Sequence, residues 1–184
     1  MTDKETDFKL IERFKSGDDI AFNLLVKKYQ QRVYWHARRM VGNHIDADEV
    51  VQEVLLVLFK KLKDFQFRSS FYTYLYKIVS TRCLNYIAKQ KIKRLFSFDE
   101  LSNEIKNRSD IAEQIENNEQ LEIIDKLLKK LPAKQREVFV LRHYDNLTYE
   151  EISEITGKSI GGLKANFHHA FLKIDEMFRK EYER

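Results

Sequence analysis

The sequence predicts an all-α fold: two small helical domains joined by a flexible acidic linker. Glycine and proline are scarce, five and one in 184 residues, so few stretches read as turn. Apolar residues recur at three- and four-residue spacing, with capping residues or glycine at the breaks. Charge falls in blocks. Residues 1–94 carry 19 Lys and Arg against 11 Asp and Glu, residues 95–122 carry 2 against 8, and residues 123–184 carry 12 against 10. A basic domain over 1–94, a linker over 95–118 and a mildly basic domain over 119–184 follow from those blocks and from where helical spacing lapses.

Phe8, Ile11 and Phe14 predict a short first helix, stopped by Ser16-Gly17. Asp18 caps a longer helix through Leu25, Tyr29, Val33 and Met40, ended by Gly42. Asp46 is expected to cap a third helix, with Glu49 three residues on and Ile45 stapled against Val50. It runs to about Leu62. A turn over Lys63 to Ser70 leads into a fourth helix from about Phe71 to Lys93. Leu95 to Asn118 has few large apolar residues and no clean period, with at most a helical turn near Ile111. Leu121, Ile124, Leu127, Leu128 and Leu131 restore helical spacing and open the second domain.

The most specific segment is LPAKQREVFVLRHYDNLTYEEISEITGKSIGGLKANFHHA, Leu131 to Ala170. Pro132 suits the first turn of a helix, and Asp145-Asn146 supplies turn chemistry. Thr148 and Glu151 have capping-box spacing. Gly157 ends that helix, and Ser159 caps another running to about Lys173. Two short helices around a glycine-centred turn is the layout of a helix-turn-helix. Ile160, Leu163, Phe167, Phe171 and Ile174 form its apolar stripe, while Gly161, Gly162, Ala165, Asn166, His168 and His169 face the other way, with Lys164 at the margin. Spacing alone leaves a DNA-reading unit and an ordinary helical hairpin both open.

Composition excludes several classes. A single cysteine, Cys83, forbids an intramolecular disulfide and fits a reducing cytosol. The polar opening MTDKETDFKL holds no apolar run, so neither a signal peptide nor membrane insertion is expected, and the expected location is cytoplasmic. No metal, cofactor or catalytic site is expected. The carboxylates of DADEVVQEV, Asp46 to Val54, lack histidines at ligand spacing, and His168 and His169 point about a hundred degrees apart on a helix.

Two motifs in the first domain carry chemistry. In DADEVVQEV, Asp46, Asp48 and Glu49 complement a helix N-terminus, but Gln52 and Glu53 lie too far along for that. In FRSSFYTYLYKIVSTRCLNYIAKQKIKR, Phe67 to Arg94, aromatic and basic residues interleave. Aromatic faces stack on unpaired bases and basic side chains track phosphates, although Phe71, Leu75, Ile78 and Leu84 have the spacing of core.

These segments resemble the sigma-70 family of RNA polymerase sigma factors, most of all the extracytoplasmic-function subfamily. Residues 131–170 are similar to region 4, with matches including Leu131, Pro132, Gln135, Arg136, Glu137, Val138, Leu141, Arg142, Tyr149, Glu150, Glu151, Ile152, Gly157, Ser159, Lys164, His168 and Ala170, ungapped. Asn166, His169 and Gly162 depart from the usual Arg, Arg and Thr, so the outer face is less basic. DADEVVQEV resembles region 2.2, and the stretch from Phe65 resembles regions 2.3 and 2.4 at Phe65, Ser70, Phe71, Thr73, Leu75, Tyr76, Ile78 and Tyr86.

The resemblance implies a transcription initiation factor that binds core RNA polymerase, through the β′ clamp helices and the β flap, and recognises and opens promoter DNA. It implies core binding by Asp46, Asp48, Glu49, Gln52 and Glu53. It implies −10 contacts by Phe67, Arg68, Ser69, Tyr72, Tyr76, Lys77, Arg82 and Asn85, with base capture in the loop before Phe71. Contacts to the −35 element fall to Arg142, Lys158, Ser159, Gly162, Lys164, Asn166, His168 and His169. The acidic linker resembles the segment that threads polymerase, and an anti-sigma factor is the implied regulatory partner. The alternative is a helix-turn-helix regulator whose first domain only dimerises.

Overall fold

The computed structural model describes residues 3–96 and 123–182, and every regular element among them is helical. The first unit comprises α1 (Asp3–Lys15), α2 (Asp19–Val41), α3 (His44–Lys61), a 3-10 turn (Leu62–Asp64) and α4 (Phe71–Phe96). The second comprises α5 (123–129), α6 (Ala133–Phe139) running into a π-helical turn (Val140–Tyr144), α7 (Tyr149–Thr156) and α8 (Ile160–Tyr182). Helix α4 runs on past Lys93 through Leu95 and Phe96, the first two residues of the expected linker. The rest of that linker, the turn near Ile111 and Leu121 lie outside the described residues.

Local chemistry sets most boundaries as expected. Asp18 caps α2 by accepting from the Ile20 N–H at 3.0 Å. Thr148 and Glu151 close a reciprocal capping box at 3.2 and 2.8 Å. Asn146 makes the turn before it at φ 57°. Ser70 caps α4 by accepting from the Thr73 N–H at 3.0 Å.

Three expectations need correction. Asn43, not Asp46, caps α3, because its Oδ1 accepts from the Asp46 N–H at 2.8 Å and only one residue separates Gly42 from the helix. Ile45 makes no staple, since it is 63% exposed on the outer face of α3 while Val50 is buried. The apolar stripe of α8 is buried only at Leu163 and partly at Phe167 and Ile174; Phe171 is half-exposed. The helix runs to Tyr182 rather than Lys173 and outreaches the small unit that would cover it. Phe171 and Phe178 line an open apolar groove of about 240 Å³ with Leu127, Phe139 and Tyr144.

The two units pack directly on one another. Leu128, Leu131, Phe139, Val140 and Ala170 join the core of α2, α3 and α4. Tyr76 of α4 is instead buried among Val138, Leu141, Leu147, Ile152, Ile155 and Leu163 of the second unit. Gly42 permits the close approach, since a Cβ there would sit 2.6 Å from Lys129 Cε.

Candidate functional site

The outer face of α3 is open. Ile45, Glu49, Gln52 and Leu56 follow one another at helical spacing, all exposed, with Asp48 and Glu53 half-buried beside them. Asp48 lies 3.3 Å from His44 Nε2. Asp46 differs from the rest of the expected set. It accepts from Asn43 Nδ2 at 2.8 Å and sits close enough to Tyr86 of α4 to raise that phenol's pKa, an effect led by burial. Asp46 therefore braces α3 against its neighbours. Leu56 went unnoticed in the sequence although it falls four residues after Gln52; an exposed leucine has no signature apart from its phase.

The loop before α4 is built around an unusual backbone. Phe67 adopts φ 56°, a left-handed conformation that costs a bulky residue roughly 1–3 kcal/mol and survives only where neighbours impose it. Its ring stands edge-on to Phe8 at 4.9 Å and to Phe65 at 5.1 Å, with Lys15 Nζ 4.9 Å above it. Arg68 is exposed, and Ser69 Oγ donates to the Ser70 carbonyl at 3.3 Å.

Along α4 the expected contacts divide. Lys77, Thr81 and Asn85 share an exposed stripe four residues apart, with the Thr81 hydroxyl donating to the Lys77 carbonyl at 2.7 Å. Tyr72 is half-buried and stacked on Tyr76 at 4.3 Å. Burial pushes the Tyr72 phenol up to about 12 and that of Tyr76 further. Arg82 is half-buried, and its Nε has no hydrogen-bond partner among the described residues.

In the helix-turn-helix, Gly157 takes φ 70° and reverses the chain between α7 and α8. Lys164, Gly162, His168 and His169 are exposed on α8. The remaining expected contacts have structural work. Ser159 caps α8 by accepting from the Gly162 N–H at 3.3 Å, and Asn166 Nδ2 donates to the Gly162 carbonyl at 2.9 Å. Arg142 donates to the Leu147 carbonyl at 2.9 Å and lies over the Tyr149 ring. Lys158 is paired with Glu137 at 2.7 Å.

Comparison with known proteins matches both halves in the same order. The Sigma-70 region 2 family model covers residues 25–92, and the Sigma-70 region 4 model covers residues 121–174. The extracytoplasmic-function RNA polymerase sigma-E factor of Escherichia coli K12 is 33% identical over 183 residues, 95% of this chain and 95% of that protein. The chain belongs to the extracytoplasmic-function sigma factors. It is a promoter-recognition transcription initiation factor of the sigma-70 family, with no catalytic activity of its own. Two solved structures share its fold. One is CnrH in complex with the cytosolic domain of CnrY, at TM-score 0.72 and 21% identity over 95% of this chain and 98% of that one. The other is the sigma factor RpoE with the anti-sigma factor NepR from Bartonella quintana, at TM-score 0.69 and 20% identity over 89% and 98%.

In this sigma factor the interface between the two units is dense in buried polar groups. His36 is fully buried with Nδ1 2.6 Å from Asp145 Oδ2, and Tyr76 donates to the same carboxylate at 3.5 Å. Arg38 donates to Asp125 at 3.0 Å. Ser80 donates to Glu137, which also holds Lys158. The Arg136 guanidinium donates to the carbonyls of Met40, Lys129 and Leu131, and burial pulls its pKa down to about 10. Arg136 and Glu137 therefore act at the interface between units, a role their match to region 4 did not reveal. Among the described residues, no helix is long and apolar enough to cross a membrane.

Proposed function

We propose a division of labour among these surfaces. The α3 stripe, Ile45, Asp48, Glu49, Gln52, Glu53 and Leu56, docks on the β′ clamp helices of core polymerase. The loop at Phe67, Arg68 and Ser69 takes the extruded −10 base, and Lys77, Arg82 and Asn85 of α4 follow the DNA, with Tyr72 and Tyr76 joining once uncovered. The exposed face of α8, centred on Lys164, His168 and His169, meets the −35 element. Arg142, Lys158, Ser159, Gly162 and Asn166 shape that face from behind or beside it. The β flap and an anti-sigma factor are the further partners that family membership suggests, and the protein works in the cytoplasm, where polymerase and promoter are. The domain limits follow as 1–94 and 119–184, with the linker between.

The observation that carries this assignment is the open α3 stripe. An acidic helix face flanked by two leucine-sized apolar residues, each 63% exposed, is a poor solvated surface and a good docking one. The packed arrangement is a resting form. Elements at −35 and −10 lie roughly 25 base pairs apart, about 85 Å of duplex at 3.4 Å per step. A compact chain of this length has a radius of gyration near 16 Å, so both elements are reached only after the units part.

The test is run-off transcription with purified core RNA polymerase and fragments of the source genome. Discrete start sites that vanish on Glu53→Lys support the assignment. Sequence-specific duplex binding without polymerase, and no specific transcript, would instead favour a helix-turn-helix regulator.

A further inference from the structure

We propose that α1 is a positioning element for the base-capturing loop, acting through Phe8 and Lys15 on Phe67. The inference rests on the assignment of that loop to base capture. Helix α1 lies before the region 2 match, which begins at residue 25. It is nonetheless fixed to the domain: Ile11 and Phe14 are fully buried, and Asp7, itself buried, accepts from Tyr29 Oη at 2.5 Å and Lys28 Nζ at 2.7 Å. From that anchor it reaches the loop at two points. The Phe8 ring meets Phe67 edge-on at 4.9 Å. Lys15 donates to the Phe65 carbonyl while its ammonium stands 4.9 Å over the Phe67 ring.

Phe67 is one of two described non-glycine residues with positive φ. Such a conformation at a bulky residue needs over-determining surroundings, and α1 supplies the edge-on phenyl ring and the cation. Phe65, the remaining ring neighbour, is itself held by α1 through the Lys15 bond. Removing Phe8 or Lys15 frees Phe67 to relax to negative φ, which turns its side chain away from the place where it meets a base. The exposed Arg68 next to it moves with the same peptide.

The experiment uses holoenzyme assembled from the full chain and core polymerase. The probe is a fluorescent single-stranded oligonucleotide carrying the non-template −10 segment of a promoter mapped by run-off. Phe67→Ala should weaken binding about tenfold, the loss of stacking on one base. Lys15→Met and Phe8→Ala should each weaken it about three- to tenfold, as expected for a desolvated cation–ring contact or a ring pair. Each double variant with Phe67→Ala should bind no more weakly than Phe67→Ala alone, because the residues act through one ring. Affinity for core polymerase should be unchanged, and Lys15→Arg should restore binding.

If Phe67→Ala weakens binding while Lys15→Met and Phe8→Ala do not, or do so additively, the positioning role is overturned and the base-capture assignment stands. If Phe67→Ala binds as tightly as the parent, the base-capture assignment fails and the positioning role falls with it. Phe8→Ala carries no charge change, so its loss of affinity separates positioning from a direct phosphate contact by Lys15.

Discussion

Replacing Asp145 with alanine should loosen the two units, and Cys83 is placed to report it. The Asp145 carboxylate, 6% exposed, accepts from His36 and Tyr76, both fully buried and both on the first unit. His36 Nε2 already lacks a partner, so the substitution leaves the whole imidazole unsatisfied. A buried polar group deprived of its partner costs about 1–3 kcal/mol, which multiplies the opened population about five- to 150-fold. Cys83 is fully buried and lies one turn beyond Ser80 on the face of α4 that meets Glu137. Burial, and then the carboxylates of Glu137 and Asp145, hold its thiol well above the ordinary range. Alkylation of Cys83 should therefore be slow and pass through the opened form, where the thiol ionises normally. Its rate then scales with the opened population whatever the baseline. The reasoning is refuted if Asp145→Ala leaves the labelling rate within twofold of the parent.

Other surfaces make separate predictions. Leu56→Asp should lower affinity for core polymerase at least tenfold, about 1.4 kcal/mol, without moving the melting temperature, because the side chain is 63% exposed; titration of labelled chain into core polymerase measures it. Thr148→Ala removes the hydroxyl half of the capping box but keeps the bond from the backbone N–H of residue 148 to Glu151. It should cost about 1 kcal/mol, and Glu151→Ala should add a further loss in a denaturant series. Asp18 has its carboxyl held below the ordinary value, first by its hydrogen bond from Arg13 and also by that charge. A depressed folded value gives stability that is present above the unfolded pKa and lost as pH falls through the folded one. Asp18→Asn keeps a capping side chain, so denaturant midpoints of parent and variant should differ near neutrality and converge from about pH 4 downward.

The helices of both units were legible because their signals are local. Asp18 and Gly42, Thr148 and Glu151, and Gly157 each act within a few residues, so spacing alone placed those ends. Asn43 was missed since Asp46 and Asn43 both fit a cap three residues apart, and the choice depends on where Gly42 releases the preceding helix. The π-helical turn at Val140–Tyr144 has no residue signature; it is forced where Val140 and Leu141 enter separate cores while Arg142 reaches back to Leu147. The exposed lengths of α4 and α8 were underestimated because helix continuation beyond the packed face depends on what covers it.

The sequence by itself determined the two helical units, their family and the chemistry of their motifs, since capping, helical period and motif spacing are properties of neighbouring residues. Only the tertiary structure decided that the units close on each other, that Tyr76 lies in the second unit's core and that Lys158 answers Glu137 rather than solvent. It also decided that α1 reaches Phe67. Those outcomes join residues 21 to 109 positions apart, and no periodicity along a chain encodes which distant surfaces meet.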